Sequence, residues 1–154
     1  MTYKMLSSKT SISRWFCVLA AAILLSGCSG SENINNPDLP ADTENPLPEC
    51  PDSPNCVRYS IMVEVTADKT FEYVGMVLEE MGVHEVEKNR KDNTINSVFR
   101  IPIMGFKDDF DVVMEAQGNQ SLVHIRSASR TGYSDLGVNE RRVKKFVKNL
   151  REQL

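Results

Sequence analysis

Between Asp108 and Ser129, apolar and polar residues alternate on both sides of the pair Gly118-Asn119. Successive side chains on a strand point to opposite faces, so alternation of this kind fits a strand with one buried face. Glycine in the first position of a two-residue connection accepts the positive φ of a type II′ turn. The stretch therefore predicts a hairpin of 108–117 and 120–129. Its register sets Met114 opposite Val123, Val112 opposite Ile125 and Phe110 opposite Ser127 on one face. The other face takes Asp111 opposite Arg126 and Val113 opposite His124. A slip of one residue would turn the apolar set to solvent. The remaining segments must cover the apolar face of this hairpin.

Two of them can. Phe71, Val74, Val77, Leu78 and Met81 fall on one helical stripe, with Thr66 placed as N-cap and Gly82 as a stop, predicting a helix over 67–81. Val143, Phe146, Val147, Leu150 and Leu154 form a second stripe, with Asn139 placed to cap it. Its opposite face carries Arg141, Lys144, Lys145, Lys148 and Arg151, most simply a solvated surface. Val57 to Val65 and Val83 to Lys88 read as strands, and Asn89 to Asn93 as a turn. Thr94 to Ile101 alternates, with Ile95, Phe99 and Ile101 on one face, and Pro102 and Gly105 mark the break after it. The order β-α-β-β-β-β-α with short connections implies an α+β domain. Its antiparallel sheet has about five strands, with both helices on one face. That order resembles a shortened helix-grip fold.

The N-terminus carries an address. Lys4, Lys9 and Arg14 precede the apolar run Trp15 to Leu25, and Ser26-Gly27-Cys28 follows with small residues. This is the layout of a secretory leader. The run is shorter than the about 20 apolar residues that a membrane-spanning helix needs. Leu25-Ser26-Gly27-Cys28 resembles the lipobox of bacterial lipoproteins. The resemblance implies a diacylglyceryl thioether on Cys28, cleavage before it and acylation of the new N-terminus. Ser29 follows, where an aspartate would resemble an inner-membrane retention signal. The expected location is therefore the cell envelope, on the outer membrane facing the periplasm in a host with two membranes.

Residues 1–27 hold three of the 18 basic residues and none of the 21 acidic ones, so the mature chain has 15 against 21, a formal charge of −6. That balance excludes the positive footprint that nucleic-acid binding needs. Residues 28–49 contain four prolines, five acidic residues and only Ile34, Leu39 and Leu47 as large apolar groups. Such a stretch buries too little to offset its chain entropy, and it reads as a flexible tether to a single domain over 50–154. Cys50 and Cys56 open that domain across a Pro-stiffened loop. Export to an oxidising compartment makes a disulfide the expected state. Zinc with His84 and His124 is the weaker reading, because zinc-ligating cysteine pairs usually sit closer together. The spacing is also not the redox Cys-x-x-Cys. Neither a metal nor a cofactor is expected.

Hydrogen-bonding groups crowd Arg126 to Asn139, which runs from a strand end through a loop to a helix N-terminus. Arg126, Arg130 and Arg142 could clamp a carboxylate or phosphate there, with Ser127 or Ser129 donating hydroxyls. Asp135 and Asn139 complete the candidate binding set. The competing reading is internal bracing: Arg126 paired with Asp111, Asp135 neutralising Arg130 or bonding its own loop, and Asn139 only capping. A triad of serine, His124 and Asp111 is disfavoured, because alternation puts His124 and Ser127 on opposite faces. No nucleophile elbow or phosphate loop is present.

CPDSPNCV at 50–57, Gly105-Phe106 with Asp108-Asp109, and RSASRTGYSDLGVN at 126–139 with Arg142 resemble domain-of-unknown-function family 1499. The likeness extends over nearly all of 49–154. It implies a small, often exported or membrane-attached domain, and it marks Arg126, Ser127, Ser129, Arg130, Asp135, Asn139 and Arg142 as a signature. It implies no activity. The expected function is a non-enzymatic binding module, whose partners are the membrane through Cys28 and a small anionic ligand or envelope protein. A structural or assembly role is the alternative, and a hydrolase or transferase acting on envelope material a further one. Cys28→Ser should abolish incorporation of labelled palmitate and leave the leader uncleaved, as seen by intact mass. Palmitate labelling that persists would refute the lipid assignment.

Overall fold

The computed structural model describes residues 32–34, 39, 43–102 and 104–154. The expected leader, its cleavage point and Cys28 lie outside the described residues. Among those residues no helix is long and apolar enough to cross a membrane. The elements are β1 (Glu32–Ile34), β2 (Cys56–Val63), α1 (Ala67–Glu80), β3 (Glu85–Asn89), β4 (Thr94–Arg100), β5 (Lys107–Gln117), β6 (Gln120–Ser129) and α2 (Val138–Gln153). From β2 onward this is the expected β-α-β-β-β-β-α order. The strands form one sheet in the order β1-β2-β6-β5-β4-β3. Five of them are antiparallel to their neighbours, and β1 adds to the free edge of β2 in parallel.

The central hairpin has the register its alternation requires. Met114 pairs with Val123, Val112 with Ile125, Phe110 with Ser127, Asp111 with Arg126 and Val113 with His124. Gly118 takes a φ of 66° in the turn, which a residue with a Cβ would adopt only under strain. Both helices pack on the face that carries Phe110, Val112, Met114, Val123 and Ile125. Phe110 is fully buried there, edge-on to Phe99 at 5.8 Å and to Phe146 of α2 at 5.0 Å between centroids. Ile95 and Phe99 of β4 and Ile61 and Val63 of β2 extend the same layer.

Two helix starts differ from expectation. Thr66 stands at the N-cap of α1, but its side chain makes no capping hydrogen bond. Asn139 does not cap α2. Gly137 occupies that position at φ 74°, and Asp135 satisfies the exposed amides, accepting from Gly137 N at 2.9 Å and Asn139 N at 2.6 Å. A carboxylate suits this position better than an amide, because it also meets the partial positive charge of the helix start.

The segment read as a tether is partly tied down. Besides β1, residues around Asn45 form a strap over the sheet face opposite the helices. Asn45 Nδ2 donates to Tyr59 O at 3.3 Å and Ser60 Oγ at 3.2 Å, and the Arg58 guanidinium donates to Asn45 O. The expected Cys50–Cys56 disulfide is formed, with Cα atoms 5.5 Å apart, and it fixes the strap to the first residue of β2. Apolar area is not what holds the strap; backbone and side-chain amides are, which apolar patterning does not register. Beneath it His124 is fully buried, with Nδ1 2.8 Å from Ser60 Oγ and Nε2 3.7 Å from Glu115 Oε1.

Burial lowers the His124 imidazole below its ordinary range, with Arg58 acting in the same direction and Glu115 against it. The unfolded chain therefore takes up this proton first as pH falls. The stability that neutral His124 contributes is complete above about pH 6.5 and declines below it toward the folded value. Urea midpoints should fall between pH 7.5 and 5 more steeply for the parent than for His124→Gln. Superimposable profiles would show that the buried imidazole does not set this dependence.

Candidate functional site

The polar residues of the signature separate onto the two faces of the sheet. Along β6, Ser127 points with Val123 and Ile125 toward the helices, whereas Arg126 and His124 point to the strap side. Ser127, Ser129, Asp135, Asn139 and Arg142 meet at the start of α2, together with Asp108 of β5 and Asn55. Arg126 and Arg130 are not among them, so the three arginines do not converge on one anion.

The buried group is an ion pair inside a hydrogen-bond network. Asp108 is fully buried. Its Oδ2 accepts from Arg142 at 2.8 Å, and its Oδ1 from the Ser129 hydroxyl at 2.7 Å. Arg142 also donates to Asn139 Oδ1 at 2.7 Å, and its guanidinium lies over the Phe99 ring at 4.8 Å. Ser127 Oγ donates to Asn139 Oδ1 at 2.5 Å. Asn139 Nδ2 in turn faces Asn55 O, the Ser129 hydroxyl and Asp135 Oδ2 at 2.8–3.0 Å. Asn55 donates to Gly132 O, tying the 130–137 loop to the start of β2. Each of these polar side chains has a hydrogen-bond partner within the protein. Both serine hydroxyls are engaged, and His124 faces the other side of the sheet.

On the strap side Arg126 and Asp111 approach to 3.7 Å, as the hairpin register requires. Arg130 pairs with Asp109 at 2.7 Å instead of with Asp135, whose carboxylate is taken up by the helix start. Burial, then the neighbouring Asp109, raises the Asp111 carboxyl above its ordinary value, with Arg126 and Arg130 opposing. On this face Arg58 Nε, Arg126 Nε and His124 Nε2 are buried with no hydrogen-bond partner among the described residues.

Asp108, Asn55 and Phe99 belong to the network without having been singled out in the candidate set. Asp108 was legible: it falls in step with Phe110, Val112 and Met114, so its carboxylate must be buried and must find a cation. Asn139 and Arg142 likewise precede Val143 and Phe146 by four residues and share their stripe.

Away from the signature, Tyr59 of β2 and Val143 and Val147 of α2 line a groove of about 400 Å³. Lys144, Lys148, Arg151 and Glu152 form its rim. Among the described residues no group of His, Cys, Asp and Glu is arranged to hold a metal.

The sequence pattern of the family described as protein of unknown function (DUF1499) matches residues 46–150. No curated protein matches the chain. Among solved structures, the chain is similar to the adenylate sensor from AMP-activated protein kinase in complex with ZMP, at 16% identity and a TM-score of 0.47, covering 59% of this chain and 94% of that one. It is also similar to the di-domain ARO/CYC BexL from the BE-7585A biosynthetic pathway, at 14% and 0.44, covering 64% and 43%. A START superfamily protein from Mycobacterium smegmatis is similar at 10% and 0.41, covering 64% and 95%.

Removing Arg142 would strand the buried Asp108 carboxylate. Arg142→Ala should cost about 3–5 kcal/mol by urea unfolding, and Asp108→Leu with Arg142→Met should recover most of it. A loss within about 0.5 kcal/mol would instead mark Arg142 as a surface group open to ligand.

Proposed function

The chain belongs to the DUF1499 family, and on that premise we propose that it is a lipid-anchored envelope protein whose domain binds a small anionic ligand without chemical turnover. The leader and lipobox support the anchor. The Cys50–Cys56 disulfide fits an oxidising compartment outside the cytoplasm. The observation that carries the binding role is the groove beside α2, where an apolar floor of Tyr59, Val143 and Val147 meets a rim of Lys144, Lys148, Arg151 and Glu152, with Lys144 paired to Glu140 and Lys148 to Glu152. A ligand with a short apolar part and an anionic head matches both surfaces. The apolar part would gain roughly 25 cal/mol per Å² removed from water, and the head would meet the cations at a wet rim.

The signature is a frame in this reading. It fixes the first turns of α2 against β5 and β6, which sets the position of Val143 and of the cationic rim one and two turns further on. The Ser127 hydroxyl is bonded to Asn139, and the Ser129 hydroxyl to an Asp108 carboxylate already held in an ion pair with Arg142, an engagement that argues against nucleophilic catalysis. The same closure favours a second reading, an assembly role that uses the domain surface and no small ligand.

Isothermal calorimetry with dodecyl phosphate below its micelle concentration separates the two. The binding reading expects saturable heat that weakens at least tenfold in Lys148→Glu, Arg151→Glu, with no response to inorganic phosphate. Absence of heat, or equal binding by the variant, would refute the groove and leave the assembly role.

A further inference from the structure

Four large apolar side chains stand out into solvent at one end of the sheet. Met104 and Phe106 in the β4–β5 connection are 62% and 45% exposed; Tyr133 and Leu136 in the loop before α2 are 73% and 86% exposed. The two loops are neighbours, since Asp108 pairs with Ser129 at the strand ends that lead into them and Arg130 N donates to Lys107 O. Leu136 also holds a φ of 55°, a left-handed conformation that leucine adopts only under strain. An exposed leucine on a strained backbone contributes nothing to the core. All four project from the same end of the sheet, and none of them belongs to the core.

The chain enters the domain at the same end. In β1, Glu32 pairs with Val57, which pairs with Ser127 of β6, only a step from the strand ends that feed the two loops. Cys28 precedes Glu32 by four residues, a reach of at most about 14 Å. The hairpin turn at Gly118 lies at the far end of β5, roughly 35 Å further along. With β1 paired, the spacer between lipid and sheet shrinks to Ser29, Gly30 and Ser31.

We infer that the loop tips carrying Met104, Phe106, Tyr133 and Leu136 are a membrane-contacting surface that enters the interface of the bilayer in which Cys28 is anchored. The inference rests on the lipid anchor proposed above. The mature chain has a net negative charge, so a general attraction to anionic headgroups is not what holds it there. Aromatic and aliphatic tips at headgroup level, beside a short lipid tether, would do so. The domain would then stand on the membrane with the Gly118 turn pointing away from it.

The only tryptophan, Trp15, lies in the expected leader, so a tryptophan placed in the mature chain reports without background. The full chain, processed in a bacterial host, is purified as Tyr133→Trp, Met104→Trp and Asn119→Trp, and each is reconstituted into phosphatidylcholine and phosphatidylglycerol vesicles with brominated acyl chains. Intact mass first establishes the acyl groups on Cys28. Bromine should then quench the fluorescence of Tyr133→Trp and Met104→Trp at least twofold and leave Asn119→Trp unchanged. An acylated protein in which all three respond alike, or none responds, overturns the inference and leaves the anchor standing. A protein without acyl mass removes the anchor, and the inference falls with it.

Discussion

A carboxylate on the inward face of a strand forces its surroundings. Asp108 lies in step with Phe110 and Met114, so it is carried into the core by the same alternation that buries them. Removing a lone charge from water is expensive, and it is tolerated only with an opposite charge and full hydrogen bonding. Arg142 supplies the charge, Ser129 the second hydrogen bond, and Asn139 spans from Arg142 to Ser127 and Asn55. The docking of α2 on the hairpin and the path of the loop between them are thus fixed by one requirement. A pair of this kind adds little net stability compared with an apolar replacement. Its effect is to penalise arrangements in which α2 slides or rotates, since those would leave the carboxylate unpaired.

Most of the fold was legible because it follows from periodicity. The hairpin register came from alternation about Gly118-Asn119, and both helices from stripes at three- and four-residue spacing. What escaped depended on polar groups choosing among several partners. Asp135 could have neutralised Arg130, yet three bonds at the helix start compete for it, and Arg130 takes Asp109. Asp135 fills the cap of α2, which frees Asn139 to be the buried hub. The strap escaped for another reason: residues 43–49 contain almost nothing to bury, and they are held by backbone carbonyls, amides and a disulfide.

The two faces of the sheet consequently have different characters. The helix face is close-packed, with aromatic rings in edge contact and its polar network satisfied. The strap face is an ionic strip in which Arg58, Arg126 and Asp111 are largely covered and imperfectly matched. A single site would need the signature's arginines on one face, and the two-residue period of β6 alone separates Arg126 from Ser127. Strand parity and helix phase, applied to every polar residue as well as to the apolar ones, would have divided the cluster correctly.

The ring closed between Cys50 and Cys56 joins the strap to the sheet twice, once through the peptide chain and once through sulfur. Its loop, Pro51 to Asn55, is partly exposed and is the sort of surface turn that proteases cut. A single cut there opens the ring without separating the pieces, because everything before Cys50 stays covalently attached to the first residue of β2. Shedding of the folded domain by a cut in this loop would need two chemical events, a hydrolysis and a reduction, in place of one.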